Sequence, residues 1–110
     1  MLGSVTLHEK MLIWRWRHDW SRPRAASALG LKRDQLAAIE HGRSVVPAEL
    51  RMIMGRIVPT IPEKLRLARR RAGIGTQAIA AHLGISRMRL WKLEKAGDDR
   101  VIRFWKGGAI

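Results

Sequence analysis

One hundred and ten residues and 12.5 kDa make one ordinary domain or two very small ones, which excludes a large enzyme. Lys and Arg number 22 against 9 Asp and Glu, and a net charge of +13 draws polyanions, nucleic acid ahead of an anionic membrane. With no cysteine there is no disulfide framework and no thiolate metal site, and no run of about 18 apolar residues is present to span a bilayer.

The N-terminal stretch carries its basic residues inside the apolar run, with no small-residue cleavage site after it, and reads as mature, cytoplasmic sequence. Thr6-x-x-Glu9 opens the first helix as a capping box, in which the Thr oxygen and the Glu carboxylate satisfy each other's backbone donors; this helix runs to about Asp19. A second starts at Ser21 and ends at Gly30. A third spans Arg33 to His41, with Lys32 a poor cap, and a fourth follows Val45-Val46-Pro47 over Ala48 to Ile57. Pro59-Thr-Ile-Pro62 is a stiff connector, because each proline restricts its own backbone and that of the residue before it.

Thr60-x-x-Glu63 is a second capping box, and its helix runs to Ala72, where Gly73 can take the left-handed turn that ends it. The next helix starts at about Thr76 and ends at Gly84. Ser86 caps Arg87 to Lys95, and a shorter last helix, Arg100 to Lys106, follows Asp98-Asp99. No stretch alternates with period two, so the fold class is all-α. Disorder is expected only at the ends, for instance over residues 106–110.

The elements recur because the sequence does. Shifted by 54 places, Thr6 meets Thr60, Glu9 Glu63, Lys10 Lys64, Arg15 Arg69 and Arg17 Arg71. The same register pairs Ala26 with Ala80, Leu29 with Leu83, Gly30 with Gly84, Arg33 with Arg87, Leu36 with Leu90 and Glu40 with Glu94. A short helix, a Gly turn and a second short helix form the helix-turn-helix unit, which lays its second helix in the DNA major groove.

Residues 20–43, with Ala26-Ser-Ala-Leu-Gly30 and then Leu36, Ile39 and Glu40, resemble the Xre/Cro/phage-repressor family. Residues 74–97, with Ala80-Ala-His-Leu-Gly84 and then Leu90, Leu93 and Glu94, look like a second member. The resemblance implies two small four-helix lambda-repressor-like helix-turn-helix domains in tandem, over residues 1–58 and 59–110, the second shortened. It also implies that Glu40 and Glu94 pair with an Arg in the first helix of each copy, Arg15 and Arg69, as structural ion pairs. Ser21, Arg22, His41, Arg43, Thr76, Gln77 and Lys95 are placed by it near the DNA sugar-phosphate backbone, where contacts set register rather than sequence. Arg22 and Thr76 stand where the family often has Gln.

Helix geometry turns the first turn of the recognition helix, and one residue a turn later, toward the groove. In the first copy these are Arg33, Asp34, Gln35 and Ala38; in the second, Arg87, Met88, Arg89 and Lys92. Arg can hold guanine O6 and N7 with two hydrogen bonds, so a guanine is expected in each half-site. The five tryptophans, Trp14, Trp16, Trp20, Trp91 and Trp105, are expected mainly in the core, with Trp16 and Trp20 on one helix face.

Four histidines, His8, His18, His41 and His82, show no metal-ligand spacing, and no nucleophile-base constellation or phosphate loop is apparent, so neither a metal, a cofactor nor catalysis is expected. Lys64, Arg66, Arg69, Arg70 and Arg71 make one basic helix, but its narrow stripe of Ile61, Leu65 and Ala68 suits a small core rather than a membrane surface. The expected function is sequence-specific double-stranded DNA binding by a transcriptional regulator, of repressor type, on a bipartite site in the nucleoid. A protein-interaction module, such as an antitoxin, an antiactivator or an RNA-polymerase-binding adaptor, is the alternative from another class. Non-specific nucleoid or RNA binding is a third. Val101, Ile102, Phe104 and Trp105 crowd apolar area into the last helix, as a cap on the second domain or a homodimer interface.

Overall fold

A computed structural model describes residues 3–107, and among them there are eight α-helices and no strand. In chain order these are α1 (Leu7–His18), α2 (Arg22–Leu29), α3 (Arg33–Glu40), α4 (Ala48–Gly55), α5 (Ile61–Ala72), α6 (Thr76–Leu83), α7 (Arg87–Ala96) and α8 (Asp99–Lys106).

Both capping boxes form. Thr6 Oγ1 accepts from the Glu9 amide at 3.2 Å while the Thr6 amide donates to Glu9 Oε1 at 3.0 Å; the corresponding distances at Thr60 and Glu63 are 3.3 and 2.9 Å. At the start of α3 the Lys32 side chain has no acceptor, so only half a box is made: the Lys32 amide donates to Gln35 Oε1 at 3.5 Å. Ser86 caps α7, its Oγ accepting from the Arg89 amide at 3.2 Å.

Gly30 and Gly84 take φ of +71° and +68° between α2 and α3 and between α6 and α7. A Cβ at either would meet nothing within 4 Å, so the backbone conformation, not lack of space, calls for glycine. The left-handed turn lets the Leu31 amide donate to Ala26 O at 2.8 Å, and that of Ile85 to Ala80 O at 3.0 Å, closing each helix just before its successor begins.

Several boundaries differ from expectation. The fourth helix stops at Gly55 rather than Ile57, because the Arg56 and Ile57 amides donate three residues back, to Ile53 O and Met54 O, and tighten the chain out of the α-helix. α8 starts at Asp99 and equals α4 at 8 residues, so the last helix is not the shorter one; Asp98 caps it through Oδ1, which accepts from the Arg100 amide at 2.9 Å. Thr76 is the first residue of α6, with Gly75 as its cap. Asp19 adopts φ +53°, which takes Trp20 out of the helical path, so Trp20 does not share a face with Trp16. Its ring instead meets Trp14 edge-on with centroids 5.6 Å apart, and His18 at 4.5 Å.

The described residues fall into two compact units, Val5–Pro59 and a second that runs from Thr60 onward. Gly3 and Ser4, expected with the first domain, belong to the second, where Arg71 Nη2 donates to Ser4 O at 2.6 Å. In the first unit the core is Met11, Ala25, Ala26, Leu36, Ile39, Val46, Leu50 and Met54, with Trp14, Trp20, Leu29 and Leu31 packed against it. In the second it is Leu65, Ile79, Ala80, Leu90, Val101 and Phe104, with Leu83, Ile85, Leu93, Ile102 and Trp105 around them. Three of the repeated identities are buried in both copies, Ala26 and Ala80, Leu36 and Leu90, and Glu40 and Glu94; the rest are partly or fully exposed in at least one copy. Of the C-terminal stretch expected to be disordered, Lys106 ends α8 and Gly107 is its C-cap; residues 108–110 lie outside the described residues.

Candidate nucleic-acid interface

α3 is held by a buried carboxylate. The Glu40 side chain is fully buried and accepts from Arg15 Nε at 2.7 Å and Nη2 at 3.2 Å, a two-pronged pair linking α1 to the end of α3. Arg15 Nη1 also donates to Trp20 O at 3.3 Å, which fastens the α1–α2 link to the same point. In the second unit Arg69 meets Glu94 in the same way, Nε to Oε2 at 3.2 Å and Nη2 to Oε1 at 3.4 Å. Leu36, Ile39 and Glu40 on α3, and Leu90 and Glu94 on α7, are thus turned inward and fix which face points out.

On the outward face of α3, Arg33, Asp34 and Gln35 are exposed and Ala38 is half-buried. Asp34 lies 3.7 Å from Arg33 Nε, an exposed pair that leaves the guanidinium free to exchange partners. On α7, Arg87, Met88, Arg89 and Lys92 are all exposed, and Met88 stands where α3 has its acid. Arg87, Arg89, Lys92 and Lys95 therefore carry four positive charges with no carboxylate among the exposed residues of that helix, so α7 has the stronger attraction for a polyanion.

The residues expected near a phosphate backbone divide. Ser21 is exposed and caps α2, its Oγ accepting from the Arg24 amide at 3.4 Å. His41 is exposed and its Nδ1 donates to Ala37 O at 2.8 Å, which leaves Nε2 pointing away from that carbonyl; Arg43, Gln77 and Lys95 are exposed, and Thr76 is half-buried. Arg22 is the exception: its Nε donates to Glu40 Oε1 at 2.9 Å, so the guanidinium completes the buried ion pair instead of standing free. Arg15, Arg22, Pro23, Arg33, Asp34 and Ala37 line a hollow of about 600 Å³ beside α3.

Two features of this surface escape sequence reasoning. Trp91, expected in the core, is exposed on α7, with Lys95 Nζ 4.3 Å from its ring centroid. The guanidinium of Arg24 lies 4.9 Å from the Trp20 ring centroid, so an aromatic that belongs to the core also holds a surface cation. The i to i+4 spacing of Trp91 and Lys95 was the available signal for the first; a contact across the α1–α2 bend leaves no periodic trace.

Among the described residues no group of three or more His, Asp or Glu side chains is placed to hold a metal, and no helix is long and apolar enough to cross a membrane. His8 Nδ1 donates to Ile39 O at 3.1 Å and the His82 ring meets Phe104 edge-on at 5.2 Å, so both serve packing. No protein-family model, curated protein or solved structure matches the chain.

Proposed function

We propose that the chain is a sequence-specific double-stranded DNA-binding regulator built of two helix-turn-helix units, with α3 and α7 as recognition helices that read the two halves of one site. The observation that carries this is a recurrence. Each unit joins two eight- to ten-residue helices through a left-handed glycine, locks the second by an Arg–Glu pair, and exposes an Arg at the same place in its first turn, Arg33 and Arg87.

Arg33 and Arg87 each hold a guanine. Gln35 is free to read adenine only by giving up its weak bond to the Lys32 amide, so adenine readout is secondary in the first half. The cationic residues around α7 neutralise phosphates and supply affinity common to all sequences. Acting in the nucleoid, such a regulator would repress by occupying DNA that polymerase needs.

Selection of duplexes from a random DNA pool at near-physiological salt tests this reading. A two-part motif with a guanine in each half is the expected result, and Arg33→Ala and Arg87→Ala should each relax one separate position. Absence of any enriched motif would count decisively against it.

The protein-interaction alternative has one specific observation in its favour, and it is not the one the sequence suggested. Val101 and Phe104 are buried, and Ile102 and Trp105 half-buried, in the core of their own unit, so α8 is not a free dimer face. Exposed apolar area lies instead at Val45, Met52, Ile53 and Val58, on and beside α4. A homodimer or a polymerase contact would use that surface, and Met52→Lys with Ile53→Lys would abolish it.

A further inference from the structure

The exposed face of α7 opposite Leu90 and Glu94 is made by Met88, Trp91, Lys92 and Lys95. Met88 is 66% and Trp91 51% exposed, and they lie three residues apart, so their side chains are neighbours on that face. Lys95 Nζ lies over the indole at 4.3 Å from its centroid, and the ring stays half exposed. The corresponding residues of α3 are Asp34, Ala37, Ala38 and His41, with no large apolar group among them.

Apolar surface among cations gains nothing from a phosphate. Within the major groove the one apolar group that the bases offer is the C5 methyl of thymine. Resting on the DNA-binding reading above, we propose that Met88 and Trp91 form an apolar patch that reads thymine methyl groups in the half-site bound by α7, while Arg87, Arg89, Lys92 and Lys95 hold the surrounding guanine and phosphates. Trp91 is then a specificity-determining residue rather than a core residue. Lys95 over the ring favours this orientation of the indole. The half-site bound by α3 lacks such a reader and should be indifferent to methyl groups beyond what Ala37 and Ala38 can touch.

The test uses the full chain and the duplex recovered from the random pool. Each thymine is replaced in turn by deoxyuracil, which removes only the C5 methyl group. In the half whose preference Arg87→Ala relaxes, one or two replacements should weaken binding about fourfold each, the amount expected from losing burial of one methyl-sized group. The double variant Met88→Ala, Trp91→Ala should bind the thymine and deoxyuracil duplexes equally; both side chains are exposed, and far-UV circular dichroism checks that the fold is kept. A selected duplex that tolerates deoxyuracil everywhere, or a double variant that keeps the full methyl dependence, would overturn the proposal while leaving the DNA-binding reading intact. Tighter binding of the separated single strands than of the duplex would overturn it too, since the indole would then be stacking on bases. Failure to recover any preferred duplex would overturn the reading on which it rests.

Discussion

Arg22 and Arg15 converge on one buried carboxylate: Arg22 Nε lies 2.9 Å from Glu40 Oε1 and Arg15 Nε 2.7 Å from Oε2. The second unit has Thr76 at the position of Arg22, so Glu94 is held by Arg69 without a second guanidinium from α6. The two units thus balance the same buried charge with different reserves.

Removing the common partner should therefore cost different amounts. Arg69→Met strands Glu94 and should destabilise the second unit by about 3 kcal/mol, whereas Arg15→Met leaves Arg22 in place and should cost about 2 kcal/mol. Urea unfolding of the two variants ranks them, and a loss at Arg15 as large as at Arg69 would count against compensation by Arg22.

Arg22→Ala separates a structural role from a phosphate contact. Partly exposed and bonded to Glu40, Arg22 should cost about 1 kcal/mol of stability when removed, and the dependence of DNA affinity on salt should keep its slope. Lys92→Ala should do the reverse, leaving stability unchanged and lowering the slope by about one if the ammonium neutralises a phosphate. Titrations at four or five salt concentrations distinguish them.

The turn glycines give a matched pair. Gly30→Ala and Gly84→Ala introduce no clash, so each should cost about 1–2 kcal/mol, the conformational penalty of a left-handed L-residue. A much larger loss in thermal or urea unfolding would point to a contact at the turn rather than to its backbone.

Asp98 gives a pH dependence. The Arg100 amide, helped by the Arg100 side chain, donates to its carboxylate and holds the carboxyl below its ordinary value of 3.8. A carboxyl lowered on folding adds stability that is present above its unfolded value and lost as pH falls through the folded one. The acid limb below about pH 4 should thus shift in Asp98→Ala, which lacks the titrating group. Tryptophan fluorescence across pH 2–6 follows it, through Trp105 beside Phe104 on α8. The same helix carries the core: Phe104→Ala should cost about 3 kcal/mol, and truncation before Arg100 should unfold the second unit rather than merely alter the mass of the particle in solution.

The helical elements were legible because each signal was local, a Thr with Glu three residues on and a Gly ending a helix; of the expected stiff connector, though, Ile61 and Pro62 fall inside α5, which starts directly after the Thr60 cap. The Arg15–Glu40 and Arg69–Glu94 distances agree with a pairing that came from the family resemblance and the repeat register, since a spacing of 25 residues has no local signature. What escaped depended on competition in three dimensions. Arg22 had two destinations, solvent or Glu40, and only the position of α3 decides between them. Trp91 has the composition of a core residue, but the turn of α7 is set by Leu90 and Glu94, and that rotation puts the indole outside. Trp20 lay in helical register with Trp16 until Asp19 took the left-handed conformation.

The substitution of Met88 and Trp91 for Asp34 and Ala37 has a consequence for how such a protein can change. In a homodimer one altered codon rewrites both halves of the recognised site at once, and the DNA must change twice to follow. If α3 and α7 read the two halves of one site as proposed, they are encoded separately, so a single exposed replacement retunes one half and leaves the other as an anchor. On that reading, asymmetry gives the chain a way to move between sites one step at a time.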